Sequence, residues 1–461
     1  MSHADLSTPS DRSRREFLKL SGFAAAGATL AGSTFGQSCV HAAPAASPDK
    51  TKPIDLVRIG FVGVGNRGSH LAGLLLDMDG VEIRAVGDLV EDRAKNIQSL
   101  AGTKGKAKPE VYCQGERDFE RMCDRKDLDL IVTATPWEWH TPICVAAMKA
   151  GKHAATEVPA SWTIEQCWEL VETSEKTGRH CVMLENVCYF RNVMMVLNMV
   201  RQGLLGELVH CECGYQHDVR GYQEDTTPGA KPSWRRQEAL AHNGNLYPTH
   251  PIGPVAQWLN INRGDRFDYI VSVSSKSVGV PAYFKEKLGA DHPLAREPLK
   301  QGDVNTSIIR TVNGSTVTLY YDTQLPRPYD LILRVQGTKG IYLGTLDQIY
   351  VDGRSPTEHT WEPIAPYAKE YDHPLWRQLE TKAAGKGHGG GDYLVLYRLI
   401  EALRTGTAPD MDVYDAATWS VITPLSEQSV ANRGRPVDFP DFTHGKWKTN
   451  PPLAVPATMP T

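Results

Sequence analysis

The sequence predicts an α/β domain built on a doubly wound parallel sheet, followed by an α+β domain with an open, largely antiparallel sheet. Three observations predict it. An apolar run at residues 56–62 leads straight into a glycine-rich turn and a helical stretch. From there to Leu184, short apolar strands alternate with helices. After Asn186 the strands lie closer together and alternate residue by residue, as strands with one wet face do.

Taken in order, a polar Pro/Lys linker at 47–53 precedes the first strand, 56–62. A helix is expected over 68–78, then a strand at 81–86 that ends at Asp88. Residues 128–134 read as a buried strand, and 140–150 as a helix stopped by Gly151. The segment 152–156 is short and extended. A helix over 163–177 is stopped by Gly178, and 181–184 is a further strand. In the second half, strands are expected at 208–214, 269–274, 315–321 and 331–336. A helix follows the Gly389-Gly390-Gly391 break at 392–403, and another begins near Tyr414. The resulting divisions are a leader at 1–46, a first domain at 55–187, a second at 188–440 and a tail at 441–461.

The leader has its own logic. Ser13-Arg14-Arg15-Glu16-Phe17-Leu18-Lys19 is a twin-arginine pattern, followed by an Ala/Gly-rich apolar run and small residues near Ala42–Ala45. That order predicts export by the twin-arginine pathway to the periplasm or beyond; the competing reading is a disordered basic tail. The run is too short and glycine-rich for a permanent membrane span. Gly36-Gln37-Ser38 lacks the aliphatic residue expected before a lipidated cysteine, which argues against an anchor at Cys39. A formal net charge of −4 with 23% charged residues gives no basic excess for nucleic acid. Nine cysteines include one C-x-C, Cys211 and Cys213, with no second pair at zinc-ligand spacing, so no metal is expected.

The chemistry begins at Gly63-Val64-Gly65-Asn66-Arg67-Gly68. This G-x-G-x-x-G follows a strand and opens a helix, and Asp88 stands twenty residues beyond Gly68 at the end of the next strand. That is the dinucleotide-binding arrangement of a Rossmann domain. The glycines let the backbone approach a pyrophosphate at the helix N-terminus. Asp88 accepts from ribose hydroxyls and repels a 2′-phosphate, which favours NAD; Arg67 inside the turn keeps NADP as the alternative. Later strand ends carry Trp137-Glu138-Trp139-His140, Glu157-Val158-Pro159 and Glu185-Asn186. The two tryptophans offer faces for a nicotinamide or a sugar ring, or else pack one domain on the other.

With these residues placed, the chain resembles the Gfo/Idh/MocA oxidoreductases over about residues 55–440. It departs from their usual signatures: Glu157-Val158-Pro159 lacks the central lysine, and Leu246-Tyr247-Pro248-Thr249-His250 keeps only the histidine of the second motif. Both departures, with Glu185-Asn186-Val187-Cys188-Tyr189 and His388-Gly389-Gly390-Gly391-Asp392-Tyr393, are similar to glycoside hydrolase family 109, the NAD-dependent α-N-acetylgalactosaminidases. The resemblance implies that Asn66, Arg67, Asp88, Trp137, Glu138, Trp139, His140, Glu157, Val158 and Asn186 contact NAD. It implies that Tyr215, Arg235, Tyr247, Pro248, Thr249, His250 and Tyr329 line the substrate site, with Arg236 the competing arginine.

That family's expected route is oxidation at carbon 3 of the sugar, loss of the carbon-2 proton with departure of the aglycone, addition of water, and reduction. NAD is restored each turn, so the net reaction is hydrolysis without the usual carboxylate pair. An unperturbed histidine has a pKa of about 6.5, the range that suits reversible proton transfer near neutrality, which makes His250 the candidate acid/base. Tyr247, three positions earlier, shares its face if the stretch opens a helix, and a tyrosine of lowered pKa would serve as the second acid/base. A sugar oxidoreductase that uses NAD(P) with a second substrate is the alternative, and a non-enzymatic carbohydrate-binding protein the third reading. The outer face of the second sheet is the expected place for pairing into a homo-oligomer.

Overall fold

The structure, a computed structural model, describes residues 51–224, 233–453 and 455. The leader at 1–46, with its arginine pair and Cys39, lies outside the described residues.

Six strands form the first sheet: β1 (Val57–Val62), β2 (Val81–Gly87), β3 (Glu110–Tyr112), β4 (Leu130–Thr133), β5 (His153–Thr156) and β6 (Cys181–Met183). Their order is β3-β2-β1-β4-β5-β6. Every pairing is parallel. β4 and β5 are buried at every residue. Helices cover both faces of such strands, which explains why they read as unbroken apolar runs. Strand order reverses between β1 and β4. The glycine-rich turn leaves β1 there and the tryptophan loop leaves β4, so both meet at the crevice where such sheets bind ligands.

Nine strands form the second sheet: β7 (Leu208–Gln216), β8 (Phe267–Ser274), β9 (Val304–Thr311), β10 (Thr316–Asp322), β11 (Arg334–Gly337), β12 (Gly340–Leu343), β13 (Gln348–Val351), β14 (Glu362–Pro363) and β15 (Val437–Asp438). Their order is β14-β13-β12-β11-β7-β10-β9-β8-β15. β7 and β10 run parallel in the middle and the other pairs are antiparallel. One face is core: Cys211, Cys213, Ile270, Ile309, Val317 and Leu319 are fully buried. Helix Thr249–Trp258 packs on β7 and helix Ile422–Ala431 on β8. The other face leaves Val273 and Ile308 exposed.

Several elements differ from expectation. The first helix starts at Asn66 rather than Gly68, because Gly65 already takes the cap position. Helices Glu91–Thr103 and Asp118–Cys123 and strand β3 were not foreseen; they are polar and half-exposed, so their apolar period is weak. The strand expected at 331–336 pairs as β11 only from Arg334, since Ile332 and Leu333 have positive φ of 61° and 48°. β9 alternates small polar with apolar residues: Asn305 and Ser307 are buried in hydrogen bonds with Ser272. That pattern hides a strand from an apolar count. Among the described residues, no helix is long and apolar enough to cross a membrane, and no cluster of His, Cys, Asp or Glu is placed to hold a metal ion.

Candidate active site

The glycine-rich turn is tight for steric reasons. Gly63 has φ +82°, and a Cβ at Gly68 would lie 1.9 Å from the Gly63 carbonyl oxygen. Only hydrogen fits at Gly68, and this close packing brings the helix start against the turn. Gly65 caps helix Asn66–Leu76 with no side-chain partner, so the first N–H groups are free to receive an anion. The Val64 N–H donates to Asp88 Oδ2 at 2.9 Å, and the Val90 N–H to Oδ1 at 2.9 Å. Asp88 is thereby fixed beside the turn, where a ribose belongs. The cradle fits the pyrophosphate and adenosine ribose of a dinucleotide.

Arg67 does not reach for a 2′-phosphate. Its Nε donates to Glu157 at 2.8 Å, and its two terminal nitrogens donate to Asp392 at 2.7 and 2.9 Å. This removes the argument for NADP drawn from its place in the turn. Asp392, fully buried at the start of helix Gly391–Thr405, also accepts from Asn186 at 2.7 Å. It contacts His70 Nε2 at 3.0 Å and His388 Nδ1 at 2.8 Å as well. Burial pushes the Asp392 carboxyl up, but the bonds from His388 and Arg67 outweigh it and hold the group well below the usual carboxylate range.

A cavity of about 830 Å³ runs from this turn to the second sheet. Gly63, Gly65, Asn66, Arg67, Asp88, Trp137, Glu138, Trp139, His140, Glu157 and Val158 line it at the dinucleotide end; Tyr215, His217, Trp234, Arg235 and Tyr247 line it at the other. Trp137 is the hinge between the two. Its ring stacks on Trp162 at 4.7 Å and on Tyr247 at 5.5 Å, and meets the edge of Trp234 at 4.6 Å. It therefore both lines the site and packs the two regions together. The His140 ring nitrogens lie 2.7 Å from the Pro159 carbonyl and 2.9 Å from that of Thr135. Burial lowers its pKa. This imidazole braces the loop.

Two expected cofactor contacts sit elsewhere. Asn186 is buried, spends its amide on Asp392 and does not line the cavity. Gly68 is packed beneath Gly63 rather than exposed to a ligand.

On the substrate side, Tyr215 is the penultimate residue of β7 and its hydroxyl lies 3.2 Å from His217 Nδ1. The Tyr247 ring stands edge-on to His250 at 5.0 Å and to Tyr215 at 4.7 Å. His250 donates from Nδ1 to Glu185 Oε1 at 2.7 Å. Tyr247 and His250 do not share a helix as expected. Helix Thr249–Trp258 begins after Tyr247, with Pro248 at its cap, and the two rings meet across that corner. Thr249 is fully buried. Tyr329 stands edge-on to His217 at 5.0 Å and is largely exposed. Pro248, Thr249, His250 and Tyr329 thus flank the cavity rather than line it. The arginine ambiguity resolves. Arg235 lies over Trp234 at 4.5 Å and Trp137 at 5.5 Å in the cavity. Arg236 is buried against Glu297, with its Nε donating at 3.0 Å.

The expectation of a tyrosine with lowered pKa is corrected. Burial pushes Tyr215 up to about 12 and Tyr247 well above its ordinary value. Burial thus favours the protonated hydroxyl in both. Burial, and then Arg235, lowers the pKa of His217, which keeps that imidazole neutral and able to accept. Glu185, His217 and Asp392 are the site residues that the sequence reading did not assign.

A model of the NAD-binding Rossmann fold of the oxidoreductase family matches residues 57–185. A model described as glycosyl hydrolase 109, C-terminal domain, matches residues 189–449. A glycosyl hydrolase family 109 protein of Solibacter usitatus is 47% identical over 444 residues, spanning 96% of this chain and 99% of that protein. An α-N-acetylgalactosaminidase of Shewanella oneidensis is 42% identical over 455 residues, spanning 96% of this chain and 98% of the relative. Among solved structures, a levoglucosan dehydrogenase in complex with NADH superposes with TM-score 0.64 at 20% identity, covering 83% of this chain and 99% of the dehydrogenase. That last likeness is one of fold.

Proposed function

The chain belongs to glycoside hydrolase family 109 and carries an NAD-binding Rossmann domain; from that premise we propose that it is an exported enzyme that hydrolyses terminal α-N-acetylgalactosamine residues, with NAD restored at each turnover. One observation carries the reading. A single cavity joins the dinucleotide turn to a cluster of Tyr215, Arg235 and Tyr247, with His250 beside them.

NAD, when bound, supplies reversible oxidation at a sugar carbinol, which acidifies the neighbouring carbon. The chain supplies the proton traffic and the grip. His250, with Nδ1 bonded to Glu185, presents Nε2 as the acceptor for a hydroxyl or carbon-bound proton. Tyr247 and Tyr215 donate hydrogen bonds to developing negative charge on the substrate. Arg235, among aromatic faces, offers a guanidinium fork to hydroxyl or acetamido oxygens. Trp137 gives a flat face at the junction and helps exclude water.

The test is release of aglycone from a chromogenic α-N-acetylgalactosaminide in deuterated water, with no cofactor added. Release with deuterium at carbon 2 supports the reading. No release, with NADH accumulating on free sugars, sinks it in favour of a sugar oxidoreductase. Export rests on the Ser13–Lys19 pattern and is tested by fractionating cells that express the chain with and without an Arg14-Arg15→Lys-Lys replacement. Pairing of two copies rests on the exposed sheet face around Val273 and Ile308, and sedimentation tests it.

A further inference from the structure

We propose that His388 is a phosphate-binding residue: its imidazole donates to the dinucleotide's pyrophosphate from the far side of the glycine-rich turn. The inference rests on dinucleotide binding alone and stands whatever sugar the enzyme cleaves.

A pyrophosphate gains from charged donors beyond the backbone of the turn; Arg93, 3.8 Å from Asp88, stands on the ribose side. The turn's own guanidinium, on Arg67, is saturated by Glu157 and Asp392. Asn66 and the free N–H groups at the helix start remain, without an available cation in the turn itself. His388 stands at that position. It lines the same cavity as Gly63, Gly65, Asn66 and Arg67, and its side chain is 57% exposed. Its Nδ1 is held 2.8 Å from Asp392 Oδ2. Among the described residues, no hydrogen bond engages its Nε2. An anion seated at Nε2 would flank the same ring that Asp392 holds at Nδ1, and each would accept a charge-assisted bond from it.

The backbone around it points the same way. Gly387, His388, Gly389 and Gly390 all have positive φ, of 76°, 43°, 66° and 101°. A histidine in the left-handed region is uncommon and is held there by its surroundings. Gly387 passes so close to the first helix that a Cβ would lie 2.3 Å from His70 Nε2 and 2.3 Å from Asp392 Oδ2. The glycine run thus presses His388 and Asp392 onto the helix that presents the anion site. The charged and titratable groups facing His388 are Asp392 directly, with His70 and Arg67 reaching the same carboxylate.

Asparagine tolerates the left-handed region and glycine prefers it, so His388→Asn and His388→Gly remove the imidazole without straining the turn. Protein freed of bound nucleotide is titrated with ADP-ribose, ADP and adenosine, and binding is read from tryptophan fluorescence and calorimetry. The expected result is an affinity for ADP-ribose and ADP weakened roughly tenfold or more in both variants, with adenosine unchanged. Unchanged affinity for the phosphate-bearing ligands overturns the proposal. So does an equal loss for adenosine, which marks a collapsed cavity, or a loss confined to ADP-ribose, which places the contact on the second ribose. No glycosidase assay enters the comparison, so a wrong substrate assignment leaves its outcome untouched.

Discussion

His250 Nδ1 lies 2.7 Å from Glu185 Oε1, and this contact decides which ring nitrogen stays open. Glu185 is fully buried and also accepts from the Val187 N–H at 3.1 Å, so it does not swing away. Nδ1 is thereby committed to Glu185, which leaves Nε2 for the role proposed above.

His250→Ala is therefore expected to lower kcat about 10²–10⁴-fold while the protein retains NAD. Glu185→Gln keeps the volume but loses the charge behind the ring. It is expected to lower kcat by about 10-fold or more with a smaller change in KM. Steady-state kinetics and NAD released on denaturation check both, and full activity in either variant removes that residue from its role.

The proposed donor role of Tyr215 and Tyr247 needs their hydroxyls protonated, and burial holds both above the ordinary tyrosine value. Tyr247→Phe is expected to cut kcat/KM roughly 10²-fold, the cost of one aimed donor. Tyr215→Phe lowers the rate without moving the alkaline limb of the pH profile. A limb that moves in Tyr215→Phe shows that Tyr215 ionises.

The two neighbouring arginines separate cleanly. Arg235→Ala is expected to raise KM with an unchanged melting temperature, because its side chain faces the cavity. Arg236→Ala empties the space of a fully buried side chain packed by Phe284 and is expected to lower the melting temperature. Thermal unfolding and kinetics on both variants distinguish them.

Asp392→Asn is expected to lose stability by about 3 kcal/mol and to weaken NAD retention, because Arg67 then faces a neutral amide. The folded pKa of Asp392 is depressed, so its contribution is present above the ordinary carboxylate range. It is lost only as pH falls below that range. The variant and wild type should converge in stability only in strong acid.

His242 and Glu427 give a pH signature on the second domain. Nδ1 of His242 lies 2.9 Å from Glu427, which raises the histidine pKa and holds Glu427 down to about 2. Lys300 reaches Glu427 at 3.1 Å, and Glu238 lies 3.5 Å from His242. The histidine's contribution is full below about pH 6.5 and lost as pH rises through its folded pKa. The glutamate's is full above about pH 4.3 and lost as pH falls toward its folded pKa. The stability gap between wild type and Glu427→Gln should therefore be widest between those limits and narrow on both sides, as melting curves across pH will report.

The sequence made the dinucleotide end readable because its parts are local. Gly63, Gly65 and Gly68 sit within one turn, and Asp88 lies one strand away, so spacing alone carried the geometry. Arg67 was misread because its partner Asp392 is 325 residues distant. Tyr247 and His250 were rightly paired through the wrong local structure, since Pro248 delays the helix. Glu185 was legible only as a strand-end residue; its bond to His250 joins positions 65 residues apart. β9 escaped because buried Asn305 and Ser307 satisfy one another instead of reading as apolar. Long-range polar partnerships leave no periodic trace.

The Arg67–Asp392 clamp also sets an order of manufacture. The turn that opens the first domain is tied to a helix near the other end of the polypeptide. A nascent chain that has made only the first domain holds the glycines but lacks the carboxylate that fixes Arg67. The turn therefore reaches its fixed form only in the finished chain, once helix Gly391–Thr405 has been made and docked.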